Sequence, residues 1–150
     1  MTQAFLILFG VINLLLALYS IPKIKQDKKS VSFIWWWAFI NGSFVWEDML
    51  VFGLLHFGFA IVGILTQNIT IWVICFLVFW MVRSAGETLY FFLEQFIVPK
   101  HHPHYIEDQL KPLRKIFGDI DEQKCFIIMQ VIHQSVLISS IIALIFILRL

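Results

Sequence analysis

Residues 51–82 read VFGLLHFGFAIVGIL-TQN-ITIWVICFLVFWMV, two apolar runs separated by the turn at residues 66–68. The runs belong to longer apolar segments, which reach from about residue 31 to 65 and from 69 to 98. Each segment exceeds the roughly 20 residues with which a helix crosses a bilayer. Because the connection between them is so short, we expect an antiparallel helical hairpin inside a membrane.

Two further apolar segments flank this hairpin, at residues 3–21 and 125–148, and Pro22 is expected to end the first. Only 14% of the 150 residues are charged, against about 25% in a soluble domain. Lipid cannot satisfy backbone hydrogen bonds, so the spanning segments should be helices. The sequence predicts an all-α integral membrane protein with four transmembrane helices in a small bundle, forming a single polytopic domain over residues 1–150.

The segment at residues 31–65 is too long for one simple span. Its 35 residues would reach about 52 Å as a helix, against a hydrocarbon core of about 30 Å. Asn41-Gly42-Ser43 is the natural breaking point, since glycine and serine favour kinks and asparagine competes for backbone hydrogen bonds. We therefore expect the second span to tilt and protrude, or to kink near Asn41–Ser43.

Nine of the eleven basic residues fall in two loops, at 22–30 and 99–124. The positive-inside rule places both loops in the cytoplasm and both termini outside. The second loop has apolar residues at helical spacing, which predicts an amphipathic helix on the cytoplasmic surface, limited or kinked by Pro112. Its acidic and basic residues balance, so it is not a strong patch for anionic lipid or nucleic acid. The expected partner of the protein is the lipid bilayer, and no nucleic acid is expected. The apolar positions are Ile106, Leu110, Leu113 and Phe117.

Several ionisable residues lie inside the apolar segments. A charge in hydrocarbon costs roughly 2.5–3.5 kcal/mol on insertion scales, so such residues usually face a protein interior and carry function. Counting back from the turn puts Asp48 level with Glu87 and Asn41 level with Glu94, which predicts a polar seam between the second and third spans. The predicted buried polar site, with its contribution from the fourth span, consists of Asn41, Glu47, Asp48, Arg83, Glu87, Glu94, Gln130 and His133.

The charges of this site do not cancel, because it holds four carboxylates and one arginine. Arg83 is expected to pair with Glu87 at i,i+4 or with Asp48 across the hairpin. The other acids must be protonated, reach water or hold a cation. Two interpretations stay open, a clasp that orients the helices and a functional site, and the surplus of acid favours the site. His133 is the candidate proton acceptor.

A second polar string, His101-His102-Pro103-His104, lies in the loop at 99–124. His101, His102 and His104 are candidate ligands of a transition metal. The loop supplies no cysteine, however, and a solvated loop is the preferred interpretation. The sequence identifies no cofactor.

Three function classes fit these features. The preferred class is transport or conduction of a proton, a cation or a small solute, because carboxylates and histidine are the residues that such relays need. Four spans make a small pathway, so a homo-oligomer or a partner membrane subunit would complete it. The second class is a membrane-embedded enzyme or binding protein for a lipid-like molecule. The third is an accessory subunit whose polar residues bind a partner helix.

Overall fold

The computed structural model describes residues 2–26, 40–96 and 105–149, and the regular secondary structure of these residues is helical. Four of the helices in these ranges are long and apolar enough to cross a membrane, as predicted. The helix Tyr105–Phe117 is not one of these four. The helices are α1 (Thr2–Lys25), α2 (Trp46–Leu65), α3 (Ile69–Glu94), α4 (Tyr105–Phe117) and α5 (Glu122–Arg149).

Pro22 does not end α1 where the sequence predicted an end. α1 continues past Pro22 to Lys25, because a proline in the last turn removes few backbone hydrogen bonds. The amide of Gln26 donates to the Pro22 carbonyl at 3.2 Å and extends the turn. α4 likewise continues through position 112 to Phe117. Two other helix ends also differ from the prediction: α3 ends at Glu94 instead of near 98, and α5 begins at Glu122 instead of 125.

The second predicted span is broken rather than continuous. Residues 42–45 are not helical, and α2 begins only at Trp46. Gly42 has a φ of 79°, in the left-handed region that glycine adopts without steric cost. The break near Asn41–Ser43 is therefore confirmed, whereas a continuous helix over 31–65 is wrong. Residues 31–39 of that predicted span lie outside the described residues.

The chain reverses direction at this break. The Nε2 atom of His56 lies 3.1 Å from the carbonyl oxygen of Asn41, although one continuous helix would separate these residues by about 22 Å. His56 is ten residues into α2, about 15 Å from its start. Residues 42–45 must therefore run back beside α2 to reach Trp46, and the extended backbone of Val45 (φ −125°, ψ 166°) fits this path. We call residues 40–45 the re-entrant segment.

Two compact units divide the chain, Met1–Phe76 and Leu77–Leu150, and their boundary falls within α3. In the first unit, α1 and α2 pack closely through small residues. A Cβ atom at Gly53 would lie 2.9 Å from the Cβ of Ala17, and one at Gly10 would lie 3.0 Å from the Cβ of Ala60. The paired positions descend along α1 as they ascend along α2, so the two helices are antiparallel. Close backbone approach at small residues is the packing that membrane helices favour.

Replacing Gly53 with alanine should destabilise the protein, whereas replacing Gly58 should not. The added Cβ at position 53 would lie 2.8 Å from the carbonyl oxygen of Asn13, and overpacking of this kind costs about 1–3 kcal/mol. A Cβ at position 58 meets no atom within 4 Å, so Gly58→Ala should gain up to about 1 kcal/mol of helix propensity. Unfolding in mixed micelles measures both variants. Equal stability of Gly53→Ala and Gly58→Ala would contradict the packing described.

An aromatic core joins the start of α3 to α1 and α2 in the same unit. Leu6, Phe9, Ala60 and Trp72 are buried together. The Trp72 ring lies 5.2 Å from that of Phe9 and stacks at 5.3 Å on that of Phe76. Aromatic pairs at these distances add to the stability that buried area provides.

In the second unit, the latter part of α3 packs against α5. The Phe91 ring stacks on Phe126 at 6.3 Å and on His133 at 5.7 Å. α4 also contacts α5, and its residues Leu110 and Leu113 are buried. The amphipathic helix predicted in the 99–124 loop is therefore present, with part of its apolar face covered inside the unit.

Candidate functional site

Buried polar side chains gather in two clusters, one in each unit. The asparagine cluster of the first unit consists of Asn13, Asn41, Ser43 and His56. The arginine cluster of the second unit consists of Arg83, Ser84, Glu87 and His133. Each cluster contains residues that the sequence singled out and residues that it did not.

The asparagine cluster ties the re-entrant segment to α1 and α2. Asn41 donates through Nδ2 to Oδ1 of Asn13 at 2.6 Å, and Asn13 donates through its own Nδ2 to the Phe9 carbonyl at 2.8 Å. The Ser43 hydroxyl donates to Oδ1 of Asn41. These side-chain bonds fix the re-entrant segment to α1. His56 contacts the Asn41 carbonyl and Asp48 accepts from the Phe44 amide, which gives partners to two backbone groups of the segment that would be costly to bury alone.

The His56 ring is held by aromatic neighbours. It is completely buried, and the rings of Phe9, Phe59 and Phe76 lie 5.5–5.8 Å from it. A histidine fixed by three rings and a backbone carbonyl has a structural role in this cluster, orienting α2 against the re-entrant segment.

Glu47 and Asp48 lie in the first turn of α2 and not inside a longer helix. Glu47 is exposed, and Asp48 is half-buried and accepts a hydrogen bond from the Phe44 amide at 3.4 Å. The amino end of a helix carries a partial positive charge that stabilises carboxylates there. The partial positive charge at the start of α2 therefore explains why Glu47 and Asp48 lie there. Asp48 belongs to the first unit and Glu87 to the second, and the seam between them stays a prediction.

The arginine cluster is built around an ion pair within α3. Nη2 of Arg83 lies 2.7 Å from Oε1 of Glu87. Of the two partners expected for Arg83, Glu87 at i,i+4 and Asp48 across the hairpin, this is the first. The side chains of Arg83 and Glu87 are 20% and 9% exposed. Arg83 stands about 21 Å along the helix from Ile69 and about 17 Å from Glu94. The ion pair therefore occupies the middle part of a long apolar helix.

His133 of α5 and Ser84 of α3 complete the cluster. Both are completely buried. His133 stacks on Phe91, which follows Glu87 by one helical turn on α3. Within the described part of the chain, neither the Ser84 hydroxyl nor the buried Oγ1 of Thr88 has a hydrogen-bond partner.

The other predicted residues have separate positions. Glu94 is buried at the last position of α3. Gln130 accepts a hydrogen bond from Nε2 of Gln95 at 2.6 Å, which links α5 to the end of α3. Among residues 2–26, 40–96 and 105–149, no three His, Cys, Asp or Glu side chains group as a metal site. The histidines at 101, 102 and 104 lie outside these ranges.

Sequence reasoning did not find Ser84, Thr88 and Gln95 as members of the polar interior. These residues and Phe91 recur at i, i+4, i+7 and i+11, the spacing of one helix face. That spacing indicates one polar helix face, but single hydroxyl and amide groups in an apolar helix indicate a polar interior less strongly than charged groups do. The contact of His56 with Asn41 was not predicted, because a continuous second span would place the two residues far apart.

Comparison of the chain with protein-family models, with curated proteins and with solved structures finds no match. The functional proposal therefore rests on the geometry of the two clusters.

Proposed function

We propose that the protein is a multi-pass integral membrane protein that moves a proton, a cation or a small polar solute across the bilayer, with the arginine cluster as its binding site. The observation that carries this proposal is the 2.7 Å ion pair of Arg83 and Glu87 in the middle part of α3. Ionisable groups at that position in a membrane helix are costly, and they mark ion and solute pathways.

The helices have the length and surface that a membrane location requires. The shortest of the four apolar helices, α2, has 20 residues and reaches about 30 Å, the thickness of the hydrocarbon core. Large apolar side chains are more than half exposed on the other three, including Leu15, Val82 and Phe146. Lipid would cover such surfaces. In the proposed orientation both termini lie outside, and the loops at 22–30 and 99–124 are cytoplasmic.

The arginine cluster has more polar capacity than a clasp needs. A clasp is complete once acid and base neutralise each other, and Arg83 and Glu87 already do so. The cluster adds a buried histidine and the buried hydroxyl of Ser84, and the hydroxyl of Thr88 lies one turn further along α3. Among the described residues, neither hydroxyl has a hydrogen-bond partner. Buried polar groups normally have partners. This surplus supports binding of a proton or a small polar species over a purely structural role.

The re-entrant segment gives independent support from the first unit. Its non-helical backbone runs beside α2, and Asn41, Gly42 and Ser43 are buried. In membranes, non-helical backbone is tolerated only where protein buries it or where it lines a cavity. Broken helices of this kind build the binding sites of many transporters. We propose that a homo-oligomer or a partner membrane subunit completes the conduit.

A membrane-embedded enzyme or binding protein for a lipid-like molecule is the second candidate function. The buried hydroxyl of Ser84 beside Arg83 favours it, since these groups together suit a polar head group in apolar surroundings. An accessory subunit is the third candidate, in which the polar side chains bind a partner helix.

Flux measurements on the purified full chain in liposomes test the proposal. Liposomes that contain a pH-sensitive or cation-sensitive dye should show a faster response to a proton, sodium or potassium gradient than protein-free liposomes. Correctly assembled protein that transports none of these ions and carries a co-purified lipid, detected by mass spectrometry, would overturn the proposal in favour of the lipid-binding candidate.

A further inference from the structure

We propose that Ser84 and Thr88 bind internal water and that this water carries protons along the interface of α3 and α5, past His133. The inference rests on the proposed function and deepens it, since it names the proton as the transported species. We call Ser84, Thr88 and Gln95 the hydroxyl–amide row.

The first step is that the row faces α5. Phe91 and Gln95 lie on the face of α3 that contacts α5, through His133 and Gln130 respectively. Ser84 and Thr88 precede Phe91 by seven and three residues, so they lie on the same helix face. The row therefore lies on the face of α3 that meets α5, and it extends for about 16 Å from Ser84 to Gln95.

The second step is that the two hydroxyl groups require a partner. Ser84 is completely buried and Oγ1 of Thr88 is buried, and neither has a protein partner in the described part of the chain. A serine in an apolar helix can bond to a carbonyl of its own helix, as Ser20 does with the Ala17 carbonyl at 2.6 Å. An unsatisfied buried hydroxyl costs about 1–3 kcal/mol, whereas internal water satisfies such groups.

The third step is that water at this row lies beside groups that exchange protons. Glu87 stands between Ser84 and Thr88 in the sequence, and the Phe91 ring that follows one turn after Thr88 stacks on His133. A proton that enters the water chain at one end displaces another at the far end, with no change of oxidation state. Beyond His133, the amide pair of Gln95 and Gln130 continues the polar path toward the end of α3.

Water-edited solid-state NMR of the full chain in lipid bilayers tests the water site without reference to transport. Magnetisation should pass from water to the Ser84 side chain several-fold faster than to Ser20, a buried serine whose hydroxyl is bonded to its own helix. Equally slow transfer to both serines would overturn the proposal.

Proton flux tests the route. The double variant Ser84→Ala/Thr88→Val should reduce proton flux at least about fivefold, a barrier increase of about 1 kcal/mol. The control Ser135→Ala removes a hydroxyl that is exposed and bonded to the Val131 carbonyl of its own helix, and it should retain the wild-type flux. Flux that Glu87→Gln abolishes but the double variant leaves unchanged would overturn the water route and leave the proposed function standing. An absence of flux in the wild-type protein would overturn the proposed function and the proton route together, whereas rapid transfer to Ser84 would still support the water site.

Discussion

Glu87→Gln should reduce transport at least about tenfold, which corresponds to a barrier increase of about 1.4 kcal/mol. Glutamine keeps the size of the side chain and a carbonyl oxygen for Arg83, but it cannot ionise or release a proton. Because the Glu87 side chain is 9% exposed, bulk water cannot replace its lost function. Flux in liposomes measures the effect, after size-exclusion chromatography and circular dichroism have shown that the variant assembles.

The matched control for this prediction is Asp119→Asn. Asp119 is exposed between α4 and α5, so the same change from carboxylate to amide removes a charge outside both polar clusters. This control should transport as the wild-type protein does. Wild-type flux in Glu87→Gln would show that the carboxylate serves only to orient helices.

Arg83→Met should give the largest loss of stability of any single change in the arginine cluster, about 3–5 kcal/mol, because it leaves a buried carboxylate without its cation. Methionine fills much of the volume of the arginine stem but supplies no charge. Unfolding in mixed micelles, followed by circular dichroism, gives the difference in the free energy of unfolding.

The double variant Arg83→Met/Glu87→Met separates ion pairing from packing. Replacing both partners of a buried ion pair with apolar residues is often neutral or stabilising, so the double variant should recover most of the stability lost in Arg83→Met. A loss below about 1 kcal/mol in Arg83→Met, the value of an exposed ion pair, would contradict the burial of this pair.

The sequence determined which parts of the fold are helical through composition and length. The long apolar runs account for α1, α3 and α5, since spanning length and hydrophobicity are local properties of the chain. The break in the second run was predictable because Asn41, Gly42 and Ser43 are poor helix formers that act locally. Pro22 misled the prediction of a helix end, because a proline in a last turn disturbs few backbone hydrogen bonds.

The path of the chain after the break was not predictable. The reversal at residues 42–45 depends on long-range bonds, between Asn41 and Asn13 and between Asn41 and His56. A helix-based count of depth assumes that each residue advances the chain by about 1.5 Å, and a reversal violates that assumption. Glu47 and Asp48 were placed inside a longer span because no local pattern showed that α2 begins at Trp46.

In the candidate site, too, the features set by local sequence were predictable and those set by long-range contacts were not. The pairing of Arg83 with Glu87 followed from helix geometry alone, since residues four apart share a face. The pair of Gln95 and Gln130 depends on the register of two helices that are joined by a long connection, and no local pattern sets that register. The charged centre of the arginine cluster was therefore predictable, whereas the hydroxyl–amide row that extends from it was not.

The depth of the middle of α3 in a bilayer tests the central claim most directly. Val82 precedes Arg83 and is 65% exposed, so a spin label on Val82→Cys, in a chain with Cys75→Ala and Cys125→Ala, reports the surroundings of the ion pair. In liposomes this label should collide frequently with oxygen and rarely with a water-soluble nickel chelate, the reverse of a label on Asp119→Cys. Equal access of the nickel chelate to both labels would show that α3 does not cross the membrane and would contradict the account.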